Sequence, residues 1–227
     1  MTPHEPLARQ NLTNHVYEMI KAMLDAGALK PGAKINKKEL EEELGVSQTP
    51  INEALNRLAA EKFIYQQSRR GFFVCEYSDE DLIDLFAVQA AIEAMAARLC
   101  AEDATDDELV ELSGHFSDYE LPLSTEEHER YAAEDKVFHA AVIRCCHNAA
   151  IQDMYATSGY IIKSNQRGLV RPPSETLSEH RNLIAALVRR DPAAASSEMA
   201  DHQLRSRNHL KRVVASRDGT DRDTSAM

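Results

Sequence analysis

Two short runs of this chain, Phe63–Tyr65 and Phe72–Val74, have the pattern of β-strands, and no strand signal follows Val74. The two runs flank Gln67–Gly71, a polar segment that is typical of the tip of a β-hairpin. Outside this hairpin the apolar residues recur at intervals of three and four, which is the spacing of a helix with one buried face. The sequence therefore predicts a mainly α protein in which a small hairpin is the only β-structure.

The 227 residues are enough for two domains, each with its own buried core. We expect three helices in residues 1–76, near 12–27, 37–44 and 48–60, followed by the hairpin. A short linker at 76–78 leads to an all-helical domain of residues 77–215. Its six expected helices lie near 79–102, 105–119, 125–146, 149–169, 175–190 and 192–214. Residues 216–227 are polar and charged, so we expect a disordered tail there.

A tight turn, Gly45–Ser47, separates the second and third predicted helices. Pro50 falls in the first turn of the third helix, where the missing backbone N–H costs no hydrogen bond. Two helices joined by such a turn form a helix-turn-helix, whose second helix is able to enter the major groove of DNA. The basic hairpin tip at Arg69 and Arg70 is then placed to reach the neighbouring minor groove or the backbone.

The formal net charge of −11 is unevenly divided along the chain. Residues 1–76 carry ten Lys and Arg against ten Asp and Glu, whereas the remainder carries sixteen against twenty-seven. All of the excess acidity therefore lies in the C-terminal part. A neutral domain still binds DNA when its cations gather on one face, so the charge permits DNA binding without arguing for it.

The sequence has no pattern typical of a membrane protein or a secreted protein. No apolar run approaches the roughly 18 residues that cross a bilayer. The N-terminal residues, Met1–Glu5, lack the basic start and apolar core of a secretory signal. Cys75, Cys100, Cys145 and Cys146 have no spacing typical of a zinc cluster or a disulfide framework. We therefore expect a cytoplasmic protein without a membrane partner.

Three histidines and one aspartate of the C-terminal part form a candidate metal site. Asp135 and His139 are four residues apart on one predicted helix, so their side chains share a face. His180 and His202 lie on two later helices, and a helical bundle can direct such ligands inward. Three imidazoles and a carboxylate suit Zn²⁺, Ni²⁺ or Mn²⁺. Spacing alone does not decide, because a histidine on a helix is more often solvated or hydrogen-bonded than a metal ligand.

The segment from Leu12 to Val74 resembles the winged helix-turn-helix of the GntR family of bacterial regulators. The resemblance rests on Val16-Tyr17, Leu29–Gly32, the run from Leu40 to Leu58, and Arg70–Val74. It implies that the protein binds double-stranded operator DNA through the start of the third helix and the wing. The residues that we expect at that interface are Lys37, Lys38, Ser47, Gln48, Thr49, Asn52, Arg57, Arg69, Arg70 and Gly71.

Two positions of the third helix depart from this family. Its members usually carry arginine where this chain has Gln48 and Asn52, and those arginines commonly read guanine. Glutamine and asparagine pair instead with the N6 and N7 edge of adenine, so one hypothesis is a preference for adenine. The other is that Gln48 caps the helix and Asn52 contacts phosphate. Arg57 also has two interpretations, a phosphate contact or a solvated charge.

Residues 79–214 resemble the FCD domain of the FadR-type subfamily, an all-helical ligand-binding bundle. The segments that carry this resemblance are Asp135–His139, Glu179–Arg181 and Met199–His202. It implies a divalent metal held by Asp135, His139, His180 and His202, with a small carboxylate effector at the open coordination positions.

The effector contacts are less well defined. The subfamily often has an anchoring arginine where this chain has Gln89, which would bind a carboxylate more weakly than a bidentate arginine does. Further contacts are expected from Ser164, Asn165 and Arg167. We interpret Arg171 as a surface charge.

These features predict a sequence-specific transcription regulator, a repressor, that acts as a homodimer on a pseudo-palindromic operator. Two alternatives remain, a regulator that responds to an acyl ligand without metal and a metal-dependent hydrolase. The attached DNA-binding domain and the lack of an identifiable general base argue against an enzyme.

Overall fold

The computed structural model of the chain describes residues 4–157 and 168–224. Most of these residues fall into two compact units, one of residues 4–76 and one of residues 77–155 and 168–224. The division lies in the segment where the sequence places the linker. Helices dominate both units, and the sheet found in the described residues has two strands. The prediction of a mainly α fold with a small hairpin is confirmed.

The N-terminal unit contains three helices and the hairpin. Its helices are α1 (His4–Asp25), α2 (Lys37–Leu44) and α3 (Gln48–Ala60), and its strands are β1 (Ile64–Gln67) and β2 (Gly71–Val74). α1 packs against α3, and Val16, Ile20, Ile51, Leu55 and Leu58 from these two helices are fully buried. Removal of these apolar side chains from water is the main force that holds the unit together.

Local backbone signals define the helix-turn-helix. Asn36 caps α2 by accepting a hydrogen bond from the backbone N–H of Lys38 at 3.1 Å. Gly45 follows α2 in the left-handed region, with a φ of 65°, where glycine has no steric cost. The extended backbone of Ser47 then begins α3. This abrupt turn leaves the first residues of α3 exposed.

The hairpin pairs β1 and β2 in antiparallel register, from Ile64 opposite Val74 to Gln67 opposite Gly71. Ile64 and Val74 are buried, as is Phe72. The strands are therefore anchored in the core of the unit, while the turn that joins them is exposed.

Six helices follow the linker in the described residues. They are α4 (Asp79–Asp103), α5 (Asp106–Gly114), α6 (Thr125–Cys145), α7 (Ala149–Thr157), α8 (Pro173–Val188) and α9 (Pro192–Thr224). Three of them begin with a capping box, in which a hydroxyl and a carboxylate each accept a hydrogen bond from the other residue's backbone N–H. The pairs are Ser78 with Asp81, Thr105 with Glu108, and Ser124 with Glu127.

The packing of these helices creates one interior. α9 packs along α4 and against α8, and α6 packs against α4. Leu82, Ile83, Phe86 and Leu210 form an apolar cluster between α4 and α9. None of the helices in the described part of the chain has both the length and the apolar character that a membrane span needs.

Several predicted boundaries differ from the structure. The first helix begins at His4 and not near residue 12. The helix expected over 105–119 ends at Gly114, because Phe116 turns to a φ of 58° and its N–H donates to Glu134 at 2.8 Å. The helix expected over 149–169 is described only as far as Thr157, and residues 168–172 are not helical. Residues 216–224, which the sequence analysis places in a disordered tail, continue α9 in the structure. Extension of an existing helix gains hydrogen bonds without a new nucleation cost.

Candidate functional site

A polar cluster, here called the quartet, lies inside the C-terminal unit. α6 supplies Asp135 and His139, α8 supplies His180, and α9 supplies His202. One nitrogen or carboxylate oxygen from each residue lies within 4.8 Å of those of the others. The three imidazoles are buried, and the Asp135 side chain is 18% exposed. Side chains that are up to 67 positions apart in the sequence therefore converge in the fold.

Each imidazole is held at its Nδ1 atom by another side chain. The pairs are His139 with a carboxylate oxygen of Glu93, His202 with Glu179 Oε2 at 2.9 Å, and His180 with the Tyr131 hydroxyl at 2.8 Å. These partners fix the orientation of the rings and leave Nε2 as the nitrogen able to bind a metal. Metal-binding histidines are typically supported in this way.

His180 carries a buried nitrogen without a hydrogen bond. Its Nε2 atom has no hydrogen-bond partner among the described residues. Asp135 Oδ1 lies 3.3 Å from it, but the contact lacks hydrogen-bond geometry. An unpaired buried polar atom costs free energy, and a cation between nitrogen and carboxylate would satisfy both. The donor set of three imidazole nitrogens and one carboxylate oxygen fits Zn²⁺, Ni²⁺ or Mn²⁺.

Burial and one carboxylate set the protonation of the cluster. Burial raises the pKa of Glu93, but the neighbouring His139 outweighs this effect and holds that pKa below its ordinary value. Burial lowers the pKa of His139, yet the Glu93 carboxylate raises it to about 9. In His180 and His202, by contrast, burial depresses the pKa. These two imidazoles are therefore neutral at pH 7, the form that binds a metal.

A buried ion pair holds the Glu179 carboxylate that bonds His202. Arg171 Nη1 donates to Glu179 Oε1 at 2.8 Å, and its Nη2 donates to the other carboxylate oxygen. Arg205 also donates to Glu179 Oε1, at 2.9 Å. Burial raises the pKa of Glu179, but these hydrogen bonds hold it well below its ordinary value. The interpretation of Arg171 as a surface charge is wrong, because the residue is only 4% exposed.

Sequence patterns do not single out the residues that support the quartet. Tyr131, Glu93, Glu179 and Gln203 contact the quartet or one another, and Gln203 donates to Glu93 at 3.0 Å. One signal was available, because Glu93 lies in an alanine-rich, largely apolar stretch of α4. A buried charge of this kind is rare unless it is paired.

The predicted effector contacts are only partly described by the structure. Gln89 is buried, and its amide donates to Glu93 Oε1 at 3.1 Å. Gln89 therefore contacts the carboxylate that holds His139. Ser164, Asn165 and Arg167 lie outside the described residues. The effector contacts remain predictions.

Eight of the ten predicted DNA-binding residues form two groups in the N-terminal unit. The first group lines a cavity of about 660 Å³ between the start of α2 and the hairpin tip, and it includes Lys37, Lys38, Arg69, Arg70 and Gly71, together with Lys34. The second group, Ser47, Gln48 and Thr49, is exposed at the start of α3. A surface of clustered cations attracts the phosphate backbone.

Both amides at the positions predicted to read bases are hydrogen-bonded within the chain. Lys37 Nζ donates to Asn52 Oδ1 at 2.7 Å and lies 5.2 Å from the centre of the Phe72 ring. Gln48 Nε2 donates to Glu41 Oε2 at 2.8 Å. A base that pairs with either amide must therefore replace a protein partner.

Arg57 lies apart from this surface. It follows Gln48 by nine residues, or two and a half helical turns, which places it on the opposite side of α3. Its guanidinium stacks 3.8 Å from the centre of the Tyr17 ring and pairs with Glu61 at 3.0 Å. Arg57 thus joins α3 to α1, and its contact with DNA remains a prediction.

Two family models match the chain. Residues 12–74 match the bacterial regulatory proteins of the gntR family, and residues 84–205 match the FCD domain. The chain is 27% identical over 205 residues to an uncharacterized HTH-type transcriptional regulator, YdhC, of Bacillus subtilis (strain 168), covering 87% of this chain and 90% of that protein. It is 26% identical over 200 residues to a probable D-xylose utilization operon transcriptional repressor of Paenarthrobacter nicotinovorans, covering 87% and 86%.

Solved structures with the same fold include two regulators. McbR/YncC of E. coli has a TM-score of 0.70 and 25% identity, covering 89% of this chain and 98% of that one. A putative transcriptional regulator GntR from Rhodococcus sp. RHA1 has a TM-score of 0.70 at 16% identity, covering 87% and 96%. The second likeness bears on the fold alone.

Proposed function

The chain belongs to the GntR family of bacterial regulatory proteins and carries an FCD domain, and we propose that it is a repressor controlled by a small acid. In this proposal a carboxylic or sugar acid binds at a divalent metal in the C-terminal unit and alters operator binding by the N-terminal unit. The observation that carries the sensing half is the convergence of Asp135, His139, His180 and His202.

The DNA-binding half rests on the exposed start of α3 beside a cationic cavity. The start of α3 enters the major groove, as the second helix of a helix-turn-helix does. Lys37 and Lys38 contact phosphates, while Arg69 and Arg70 at the hairpin tip reach the backbone or the minor groove. Such contacts supply sequence-independent affinity that falls as the salt concentration rises.

Gln48 and Asn52 give this protein a preference for adenine at the bases they face. Each side chain presents one donor and one acceptor, which match N7 and N6 of adenine. Selection of binding sites from random DNA tests this specificity. Recovery of guanine at the positions that these residues contact would contradict it and favour the alternative, a helix cap and a phosphate contact.

Asp135, His139, His180 and His202 would hold the ion. When bound, a divalent ion supplies open coordination positions for the oxygens of a carboxylate. The chain's own residues orient that site, because Glu93 fixes His139 and Glu179 fixes His202. Gln89, which hydrogen-bonds Glu93, is the predicted effector contact that falls within the described residues.

A second copy of the chain completes the repressor. α4 exposes an apolar stripe of Val88, Ala91 and Met95, of which Val88 and Met95 are each 48% exposed. Residues three and four apart share a face of a helix. An apolar stripe on an outer helix suits a two-fold interface, and such symmetry matches a pseudo-palindromic operator.

The two alternatives have less support. In the described residues, Glu93 and Glu179 are the carboxylates that hold the quartet, and both are bonded to its imidazoles. Neither is free to act as the general base of a hydrolase. The concentration of imidazoles and carboxylates in this interior also suits a polar ligand better than an acyl chain.

The decisive experiment measures the melting temperature of metal-stripped and metal-reloaded protein with a panel of hydroxy, keto and sugar acids. A ligand at about a hundred times its dissociation constant stabilises by about 2.7 kcal/mol. We expect one acid to stabilise the reloaded protein alone and to alter operator binding. If neither metal nor acid changes the melting temperature, the metal-centred sensor is wrong and the DNA-binding proposal stands alone.

A further inference from the structure

A second polar cavity lies between the start of α8 and the middle of α9. It has a volume of about 780 Å³ and is open to solvent. Its lining includes the cations Arg171, Arg205, Lys211 and Arg212, the hydroxyls of Ser174 and Ser178, and the carboxylates of Glu175 and Glu179, so that the cations outnumber the carboxylates. The described residues contribute no apolar side chain to its walls, and no member of the quartet lines it.

The cations of this cavity stand out against an acidic background. Residues 204–217 carry five Lys or Arg and no Asp or Glu, although residues 77–227 as a whole carry all of the chain's excess negative charge. Three of the five bind acceptors on other helices: Arg205 binds Glu179, Arg207 the Ile83 carbonyl oxygen, and Arg217 Asp79.

Lys211 and Arg212 are the two cations of residues 204–217 that bind no other described side chain or carbonyl group. Both are exposed, and neither has an ion pair or a hydrogen bond to any described residue. The side chain of Arg205 is 53% exposed and bonds Glu179 through Nη1, so its other nitrogens remain accessible. Three cationic side chains thus offer donors to one solvent-filled space.

The chemistry of these walls selects a small anion with several acceptor oxygens. Guanidinium groups bind tetrahedral oxyanions through paired N–H donors, and ammonium and hydroxyl groups add single donors. The first turn of α8, which carries Ser174, also favours negative charge. A volume of about 780 Å³ lies within the usual range of small-molecule sites. We propose that this cavity binds a phosphate-type oxyanion, held by Arg205, Lys211 and Arg212.

Glu179 connects this cavity to the quartet. Its Oε1 atom accepts from Arg205 in the cavity, and its Oε2 atom lies 2.9 Å from His202 Nδ1. An anion that draws Arg205 away leaves Glu179 to Arg171 and His202. The oxyanion site is therefore a second input to the sensing unit, although its existence does not depend on a metal in the quartet.

The test is calorimetric titration of the full chain with inorganic phosphate at constant ionic strength. The variant Lys211→Ala/Arg212→Ala removes the two unpaired cations. The control Arg130→Ala/Arg189→Ala removes two exposed cations outside the cavity, so both variants change the charge equally. We expect saturable binding at one site per chain, kept in the control and weakened by about tenfold or more in the cavity variant.

Two further titrations, with a sugar phosphate and with a nucleoside monophosphate, identify the source of the anion. Tighter binding of a sugar phosphate or a nucleoside monophosphate than of inorganic phosphate indicates a phosphorylated metabolite, and equal binding indicates the free ion. No heat beyond a chloride control, or an equal loss in both variants, overturns the proposal. Operator DNA binding that falls in the cavity variant, without any phosphate binding, assigns these cations to DNA and also overturns it.

Discussion

Glu93 is a buried carboxylate with three polar partners among the described residues, although it lies in a largely apolar stretch of α4. It is fully buried on α4, accepts hydrogen bonds from Gln89 and Gln203, and bonds His139. A buried carboxylate is costly unless such bonds compensate it. The residue therefore serves the orientation of His139 more than the packing of α4.

We expect Glu93→Gln to lower the affinity for Zn²⁺ by about 10- to 100-fold, the usual cost of losing a residue that orients a ligand. Competition with a chromophoric chelator measures this affinity. Glu111→Gln is the matched control, because Glu111 is 55% exposed and pairs with a half-exposed Arg144. An affinity in Glu93→Gln equal to that of the control would show that His139 needs no such support.

Arg57 and Arg70 test two different roles of arginine in the N-terminal unit. Arg57→Ala removes the stacking on Tyr17 and the Glu61 pair, so we expect the free energy of unfolding to fall by about 1 kcal/mol. Arg70→Ala leaves stability nearly unchanged but weakens operator binding and reduces its salt slope by about one. Urea denaturation and titrations at several salt concentrations measure these effects. A reduced salt slope in Arg57→Ala would return Arg57 to the DNA surface.

At the residue scale, the sequence predicts the quartet but not the residues that support it. Residue types and a family pattern identify the quartet, because metal ligands come from a short list of side chains. Glu93 lies 46 positions from His139, and Arg205 lies 26 positions from Glu179. No local pattern encodes such pairs, since they arise only when α4, α6, α8 and α9 pack together. Arg171 is buried for the same reason, because its guanidinium bonds the Ser206 hydroxyl and the His202 carbonyl oxygen of α9.

A helix start that a capping box marks is more predictable than a helix end that depends on a distant residue. The boxes at Ser78, Thr105 and Ser124 lie within three residues of the N–H groups they satisfy, so the sequence alone locates those starts. The end of α5 depends on Glu134, which accepts from the Phe116 N–H 18 positions away. A signal from a distant helix is invisible to a local pattern, and the predicted helix therefore ran too long.

Gly45 tests the turn between α2 and α3. An added Cβ would meet no atom within 4 Å, so the cost of Gly45→Ala comes from its φ of +65° alone. We expect a loss of about 1 kcal/mol in the free energy of unfolding. Gly114→Ala is the control, because that glycine is helical, has no such φ and also has open space. Urea denaturation should show it to be neutral or stabilised by up to about 1 kcal/mol; equal losses would contradict this reading of Gly45.

At the scale of the whole molecule, the two units differ in net charge. A chain with a net charge of −11 repels DNA at long range, so its attraction must come from the cations that gather at Lys34, Lys37, Lys38, Arg69 and Arg70. The acidity of the C-terminal part disfavours contact of that unit with the phosphate backbone. Composition alone predicts this division, but the clustering of the cations becomes visible only when the hairpin tip folds next to the start of α2.

In the proposed dimer, the apolar stripe on α4 would bring two such cationic surfaces together. We expect Met95→Asp to place a charge in the proposed two-fold interface and to yield a monomer by light scattering. Operator affinity should fall by about a hundredfold or more, because the second half-site then no longer benefits from a high effective concentration. Val110→Asp is the control, since Val110 is 70% exposed on α5 and lies outside the stripe. A dimeric Met95→Asp protein with unchanged operator affinity would exclude this stripe as the interface. Loss of both properties in the control alone would move the interface to α5.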